Sequence, residues 1–459
     1  VIMLLWNYII TPFYMQVPRE VIEGMLLTVF LPFNLIKGGL NFAITLILYK
    51  PVVGALRKAN LVPGNTAKVS VNKSILALAF LILIIGVFTS CNHSQTRLEA
   101  RGGDTVRFEY ARHLKIIKYQ GYSIATLTDP WKQGKILHTY ALVPKGKAGD
   151  EVCKAFSSDN NQEVTIVRTP ITRSVVFTTV HCALLYDLKA ESSIKGVCDL
   201  QYISIPDIQQ RAKLPISDAH HVVDCGNSMS SNVEKIIDLK PEAIMVSPFE
   251  NSGGYGKLDK LHIPLIEMAD YMEESSLGRA EWMKFYGMLF GREKAADSLF
   301  NEVKSNYERL MQKAQTAKQT RSVFTERMMG NVWYVPGGRS VIGGLLQDAR
   351  SRYVFANDTH SGSVALSFES VLDRAGKADI WLFKYNEHPS TLQELLKENA
   401  GYGEFKAVKT HQVFACDCTH RPYYEEVSFH PDRLLSDVIQ IVHPDIAGFA
   451  PMHYYQRLK

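Results

Sequence analysis

The sequence predicts an α/β fold of two similarly built βαβ lobes, joined by a long rigid helix and preceded by transmembrane helices. Three observations support this prediction. Short apolar strands alternate with amphipathic helices from residue 175 onward, which is typical of parallel βαβ units. A capped helix followed by an apolar strand occurs twice in the chain. A long proline-free helical segment separates these two copies.

The first part of the chain, residues 1–68, is predicted to be a membrane segment. Its apolar stretch at 33–50 is long enough to cross a bilayer as a helix. Basic residues then crowd the connection at 50–73, and such clustering indicates the cytoplasmic side. The uncharged apolar run at 74–90 must therefore cross outward.

Two polar residues one helical turn apart, Asn34 and Lys37, interrupt this membrane segment. They are costly inside a bilayer unless they face a polar cargo. Alternatively, Lys37 reaches the membrane surface and Asn34 caps a helix. The run from Pro32 to Gly39 resembles the last transmembrane helix of riboflavin-specific S components of energy-coupling-factor transporters, a likeness that covers about residues 1–60. The resemblance implies that Asn34 and Lys37 contact a flavin.

Residues 69–91 are predicted to be a signal or anchor segment. The segment ends at Cys91, after Phe88-Thr89-Ser90, and this ending resembles a bacterial lipobox. The resemblance implies cleavage before Cys91 and lipidation of its thiol. The alternative is an uncleaved transmembrane helix with an incidental cysteine. Both interpretations anchor the protein in a membrane, with everything beyond the polar linker at 92–103 in the periplasm or on the cell surface.

The remaining residues divide into an N-terminal lobe (104–280), a connecting helix (281–320) and a C-terminal lobe (321–459). The first lobe opens with a β-rich segment at 104–148, because short alternating runs are separated by glycine and proline turns. Apolar residues between 293 and 313 recur at helical spacing, which predicts one helix of roughly 20 residues.

The repeated unit places one glutamate in the first turn of each helix. Glu234 follows the capping residue Asn232, and Glu369 follows the capping residue Ser367. An acidic residue in this position stabilises the positive end of a helix, which explains both glutamates without any partner. The repetition also indicates that the two lobes are built alike.

Composition excludes several classes of function. A net charge of +5 and the lack of a basic run argue against nucleic-acid binding. No serine–histidine–aspartate set or carboxylate pair suggests an enzyme, so we expect no catalytic residue and no catalytic cofactor. If Cys91 carries lipid, six cysteines remain that could pair after export. Cys416, Cys418 and His420 do not have a standard zinc spacing, so strand-edge thiols are favoured over a metal site and we predict no resident metal.

The soluble part resembles the substrate-binding proteins of ferric-siderophore and cobalamin ABC importers. The similarity includes the helix and strand at 232–244, the start of the long helix at 291–296, the run Tyr334 to Ser340, and Phe429-His430-Pro431-Asp432. Asp348-Ala349-Arg350-Ser351 departs from that family, which tends to have glycines there. The resemblance implies a class III periplasmic-binding-protein-like fold with a cleft between two lobes. It also implies that Glu234 and Glu369 dock onto arginines of an ABC permease dimer and its ATPase.

Loops after the strands are expected to supply the cleft contacts. Aromatic side chains suit a large planar ligand and arginines suit an anionic chelate, although core packing or ordinary loop chemistry explains each residue as well. His181 could coordinate a metal-centred cargo, or it could be a cap or packing residue. The candidate ligand-binding residues are Thr179, His181, Phe249, Glu250, Tyr255, Arg327, Trp333, Tyr334, Arg339, Tyr385, Arg421 and Tyr423.

These observations predict a receptor that captures cobalamin or a ferric siderophore as transported ligand. The alternatives are a haem or metal receptor or chaperone on the same scaffold, and an enzyme.

Overall fold

The structure is a computed structural model that describes residues 37–39, 45, 103–158, 164–250 and 254–459. The chain divides into two compact units, 1–98 and 99–459. In the first unit the described residues are helical, and the side chain of Lys37 is exposed. Asn34, Cys91 and all of the predicted transmembrane segments except residues 37–39 and 45 lie outside the described residues. Within the described ranges, no helix combines the length and the apolar content that crossing a bilayer requires.

A five-stranded sheet opens the second unit. Strands one to four are antiparallel neighbours, and helix α1 (Lys147–Ser158) then leads to a fifth strand that pairs in parallel with the fourth. Gly121 has a φ of +87° in the tight turn between the second and third strands, a conformation that favours glycine. This sheet confirms the predicted β-rich opening. Its strands are β1 (Asp104–Thr105), β2 (Leu114–Tyr119), β3 (Tyr122–Thr128), β4 (Ile136–Pro144) and β5 (Val164–Thr169).

Lobe one is built on a parallel sheet with the strand order β12-β11-β6-β7-β8. Its two central strands are buried along their whole length, as expected where helices cover both faces of a sheet. The strands are β6 (Ser174–Val176), β7 (Ile194–Val197), β8 (Val223–Asp224), the hairpin β9 (Gly226–Asn227) and β10 (Ser230–Ser231), β11 (Ala243–Val246) and β12 (Leu265–Glu267). The helices are α2 (Thr179–Asp187), α3 (Pro206–Arg211) and α4 (Val233–Asp238).

Three helices connect the lobes: α5 (Ser276–Glu281), α6 (Met283–Phe290) and α7 (Glu293–Ala314). Gly291, with a φ of +64°, ends α6 in the left-handed conformation common at helix C-termini. Helix α7 has 22 residues and buries one apolar face that includes Phe300 and Tyr307. The helix predicted within 293–313 is present, but residues 281–320 do not form one connecting helix, because Gly291 separates α6 from α7 and α7 ends at Ala314.

Lobe two repeats the parallel design with the strand order β16-β13-β18-β19-β20, in which only the last strand is antiparallel. Lobe two also contains a small antiparallel sheet with the strand order β14-β15-β17. The strands are β13 (Ser322–Thr325), β14 (Met328–Met329), β15 (Val332–Pro336), β16 (Arg352–Tyr353), β17 (Ser363–Leu366), β18 (Ile380–Tyr385), β19 (Val413–Asp417) and β20 (Gln456–Arg457). The helices are α8 (Val341–Asp348), α9 (Phe368–Ala375), α10 (Leu392–Glu398), α11 (Lys406–Lys409), α12 (Tyr423–Glu426) and α13 (Pro431–Val442).

The two-lobed α/β architecture predicted from the sequence is thus confirmed. The segment at 348–351 ends α8, and Arg350 adopts a positive φ of 55° where glycine would be easier to accommodate. Asp348 accepts a hydrogen bond of 2.7 Å from the Tyr307 hydroxyl, which ties lobe two to the connecting helix. In the part of the chain that the structure describes, the five buried cysteines form no disulfide bond.

Candidate functional site

A cavity of about 1080 Å³ opens at the carboxyl edge of the lobe-one sheet. The loops after β6, β11 and β12 line it, together with the β9–β10 hairpin, and lobe two contributes Ser428. Strands β6 and β11 are neighbours, and the sheet continues from β6 to β7 on one side and from β11 to β12 on the other. Such a reversal of strand order leaves a crevice where ligands bind in open α/β sheets.

Hydroxyl groups and aromatic rings dominate the cavity wall. The charged side chains among the described lining residues are Glu234, Asp270 and Lys257, and no arginine is included. The ring of Phe249 is 45% exposed, so contact with a ligand would remove apolar surface from water. The hydroxyl-bearing or aromatic lining residues are Phe177, Thr178, Ser228, Ser230, Ser231, Ser247, Phe249, Tyr255, Tyr271 and Ser428.

A hydrogen-bonded network forms the buried floor of this cavity. His181 places Nε2 at 2.8 Å from Asp270 Oδ1 and Nδ1 at 2.5 Å from Thr178 Oγ1. Tyr286 also donates its hydroxyl proton to Asp270 Oδ1, at 2.6 Å. Burial by itself would raise the pKa of Asp270, but the interactions with His181 and Tyr286 outweigh it and hold that pKa below its usual value. Both ring nitrogens of His181 are engaged, which favours the packing interpretation over metal coordination.

Other predicted lobe-one residues surround the cavity mouth. Tyr255 donates its hydroxyl proton to Glu267 Oε1 at 3.0 Å, which fixes the ring, and burial raises the pKa of the phenol. Glu250 is exposed next to Phe249. The structure therefore brings His181, Phe249 and Tyr255 to one cavity, and their role as ligand contacts stays a prediction.

The predicted lobe-two residues do not line this cavity. Arg327 pairs with Glu398 at 2.8 Å, and Arg421 donates to the carbonyl oxygen of His453. Trp333, Tyr385 and Tyr423 are buried in the core of lobe two, whereas Tyr334 and Arg339 are exposed. Arg327 and Arg421, predicted as cleft contacts, are thus held by tertiary partners in lobe two.

Contacts between the lobes centre on a residue that the sequence did not reveal. Glu425 of α12 is only 6% exposed, and its Oε1 accepts hydrogen bonds from Thr179 Oγ1 and from the amide and hydroxyl of Ser204. His430 Nε2 lies 2.9 Å from Asp187 Oδ2. Thr179 therefore joins the lobes instead of lining the cavity. No local pattern in the sequence marks Glu425 for this role.

Glu234 and Glu369 occupy equivalent places in the two lobes. Each is exposed in the first turn of a helix whose cap accepts a backbone hydrogen bond, at Asn232 and at Ser367. Helix α4 leads into β11, and helix α9 leads into β18. In each parallel sheet this strand adjoins the first strand in chain order, β6 or β13. Hydrogen bonds from its own amide and from Ser367 lower the pKa of Glu369. Both carboxylates therefore lie on the side of the sheets where the strands end.

The cysteine motif at the end of β19 does not form a metal centre. Cys416 and Cys418 are buried, whereas His420 is exposed and its Nδ1 lies 2.8 Å from Asp417 Oδ2. Across the ranges that the structure describes, no group of three or more histidine, cysteine or acidic side chains is arranged to hold a metal ion.

Lipoproteins from two organisms are similar to this chain in sequence. An uncharacterised lipoprotein of Methanocaldococcus jannaschii is 23% identical over 414 residues, which cover 83% of this chain and 96% of that protein. YvrC of Bacillus subtilis, an uncharacterised ABC transporter substrate-binding lipoprotein, is 24% identical over 194 residues, which cover 41% of this chain and 59% of YvrC.

Solved structures share the fold at low sequence identity. A periplasmic binding protein from Veillonella parvula covers 76% of this chain and 98% of its own, with a TM-score of 0.50 and 12% identity. A periplasmic heme-binding protein from Pseudomonas aeruginosa covers 63% of this chain and 98% of its own, with a TM-score of 0.50 and 15% identity. Residues 177–418, more than half of the chain, match a family of solute-binding proteins. The chain belongs to the periplasmic binding protein family.

Proposed function

We propose that this chain is the substrate-binding lipoprotein of an ABC importer. It captures a cobalamin-type corrinoid or a ferric siderophore beside the lobe-one sheet and delivers it to a permease dimer and its ATPase. The observation that carries the proposal is the cavity of about 1080 Å³ at the strand-order reversal of lobe one. That volume suits a cofactor-sized ligand, and small-molecule sites prefer such positions.

The charge of the cavity wall limits which ligands can bind with high affinity. An anionic chelate needs cationic partners when it leaves water. The wall instead carries Glu234 and Asp270 against Lys257. A neutral or positively charged complex fits this balance better than a polyanion, which favours cobalamin or a hydroxamate-type ferric siderophore over haem with its two propionates.

Ligand titration tests this proposal. Purified protein is titrated with cyanocobalamin, a cationic ferric hydroxamate, a trianionic ferric catecholate and haem, with tryptophan fluorescence as readout. We expect saturable quenching by one of the first two. Phe249→Ala should weaken that binding about tenfold, since a lost aromatic contact is worth about 1.4 kcal/mol. Tyr202 is 71% exposed and does not line the cavity, so Tyr202→Ala is the control. Tight binding of the catecholate alone would refute the charge argument.

Docking to the permease is proposed through Glu234 and Glu369. One exposed carboxylate per lobe can meet two-fold-related arginines and thereby fix the orientation of the complex. The double variant Glu234→Ala, Glu369→Ala should abolish uptake, and Glu369→Ala alone, which leaves the cavity wall intact, should lower uptake without changing ligand affinity. Glu293→Ala is the matched control because it removes another exposed first-turn glutamate. Uptake that persists in the double variant would contradict docking at these residues.

Anchoring through a lipid on Cys91 remains part of this proposal, and metabolic labelling with a fatty acid should be lost in Cys91→Ala. The flavin-binding role of Asn34 and Lys37 also stays a prediction. Only Lys37 of this pair is described, as an exposed helical residue. Saturable riboflavin binding by the full chain that disappears in Lys37→Ala would support that role.

A further inference from the structure

Two thiols lie side by side at the carboxyl edge of the lobe-two sheet. Cys416 belongs to β19, and Cys418 follows the last residue of that strand. Their Sγ atoms are 3.9 Å apart, so a movement of about 2 Å would bring them to the length of a disulfide bond. Cys416 is completely buried, whereas Cys418 keeps 8% of its surface exposed. Only one member of the pair therefore meets solvent.

The surroundings of the pair favour a negative sulfur at Cys418. Lys384 of β18 is the register partner of Cys416, and its ammonium pairs with Glu326 and lies 5.4 Å from the centre of the Tyr423 ring. The hydrogen bond with Cys416 lowers the pKa of Cys418, burial opposes this shift, and Lys384 adds to it. A thiolate stabilised by a nearby cation is the reactive form of cysteine.

Three other buried cysteines offer a contrast within the same chain. Burial raises the pKa of Cys225 to about 12, and it raises the pKa values of Cys182 and Cys198 as well. Thiols in such surroundings are inert towards disulfides. The pair at the end of β19 differs from these three cysteines in the contact between its sulfurs and in the lowered pKa of Cys418.

We propose that Cys416 and Cys418 form a reversible dithiol–disulfide site that reacts with small organic disulfides. The Cys418 thiolate attacks one sulfur of the organic disulfide, and the first thiol leaves after taking up a proton. Cys416 then loses its proton, and its sulfur attacks Cys418 Sγ and expels the second thiol. The protein loses two hydrogens and two electrons, and one organic disulfide becomes two thiols. This site does not depend on the transport function proposed above.

Peptide mapping of the full-length protein tests the site. The protein is incubated with oxidised glutathione, blocked with N-ethylmaleimide under denaturing conditions, and digested with trypsin. The peptide from Thr410 to Arg433 contains both thiols and no other cysteine, because the bond between Arg421 and Pro422 resists cleavage. We expect this peptide to lose two hydrogens and to escape the maleimide, while Cys182 remains fully alkylated. Dithiothreitol should restore both thiols.

Single variants establish the order of attack. Cys416→Ser should accumulate glutathione on Cys418, and Cys418→Ser should leave Cys416 unmodified over the same period. The wild-type peptide carries the main result, so a poorly folded variant does not decide the outcome. Two maleimide groups on the wild-type peptide after incubation, or a disulfide from either thiol to another cysteine, would overturn the proposal.

Discussion

Replacing Glu425 by alanine should loosen the contact between the lobes without unfolding either sheet. The side chain belongs to lobe two, and its Oε1 accepts from Thr179 and Ser204 of lobe one. Helix α7 still connects the lobes covalently in the variant. The lost hydrogen bonds should therefore make α2 and α12, the two helices in contact at this point, separate more often.

The hydrogen bonds themselves give the size of the effect. The Ser204 amide is 3.4 Å from Oε1 and adds little, whereas the hydroxyls of Thr179, at 3.2 Å, and Ser204 both donate to a carboxylate. Hydrogen bonds to charged groups are worth about 1.5–3 kcal/mol each. Both donors are partly exposed, so water can replace part of this contribution. We therefore expect a cost of about 2 kcal/mol for Glu425→Ala, which corresponds to a factor of about 30 in a local opening equilibrium.

Hydrogen exchange with mass spectrometry measures that factor. Amides of α2 (Thr179–Asp187) and α12 (Tyr423–Glu426) should exchange faster in Glu425→Ala, while those of the central strand β18 should not change. Glu425→Gln is the matched control, because all three donors use one oxygen that glutamine retains. Equal acceleration in both variants would show that the charge, and not the acceptor atom, joins the lobes. No acceleration in the alanine variant would refute the role of Glu425.

Three further predictions concern stability, measured as the free energy of unfolding in urea. Gly343→Ala should destabilise the protein by about 1–3 kcal/mol, because the added Cβ would lie 2.4 Å from a backbone oxygen. Gly344→Ala on the same helix should stabilise it by about 1 kcal/mol, because the added Cβ would meet open space. Glu281→Gln should cost about 3–5 kcal/mol, because this fully buried carboxylate accepts three backbone amides and forms an ion pair with Lys284 at 2.8 Å, which the variant breaks. Burial opposes the shift, but Lys406 and other donors lower the pKa of Asp379 to about 2. Because Lys406 is 51% exposed and solvent weakens this ion pair, Asp379→Asn should cost about 1 kcal/mol at neutral pH.

The sign of the pH effect follows from the lowered pKa. An aspartate with an ordinary pKa of 3.8 binds its proton more readily in the unfolded chain than Asp379 does in the folded one. Its stabilisation is therefore complete above about pH 4 and disappears as the pH falls through 2. A difference between wild type and Asp379→Asn that does not shrink in acid would contradict this assignment. Equal free energies of unfolding for Gly343→Ala and Gly344→Ala would contradict the glycine prediction. An unchanged free energy of unfolding for Glu281→Gln would contradict the prediction for that carboxylate.

Local signals explain why the architecture could be predicted from the sequence. The units around Glu234 and Glu369 carry a capping residue, an amphipathic helix and an apolar strand within about fifteen residues, so neighbouring side chains alone indicate their structure. The long helix at 293–314 is equally local, because its apolar face follows from spacing. These elements needed no knowledge of distant contacts.

The cavity could not be predicted from local sequence patterns in the same way. Its hydroxyl-rich wall joins the hairpin near Ser230 to the loops around Ser247 and Ser428, and their meeting depends on the strand order, which local patterns do not give. The arginines illustrate the same limit. Arg327 and Arg421 looked available in the sequence, but tertiary partners occupy them in the fold. A polar residue can be judged as a candidate ligand contact only when its partners in the fold are known.

The two lobes share a topology but differ at the place where a ligand would bind. In lobe one, the crevice between the ends of β6 and β11 is open and forms the cavity. In lobe two, the equivalent position between β13 and β18 holds the ion pair of Lys384 and Glu326, and the indole of Trp381 donates to the Glu326 carbonyl at 2.7 Å. A ligand would have to break a partly buried ion pair to enter there, which is costly. We therefore expect lobe one to determine which ligand is captured, and lobe two to contribute Ser428, the contact through Glu425 and its share of the docking surface.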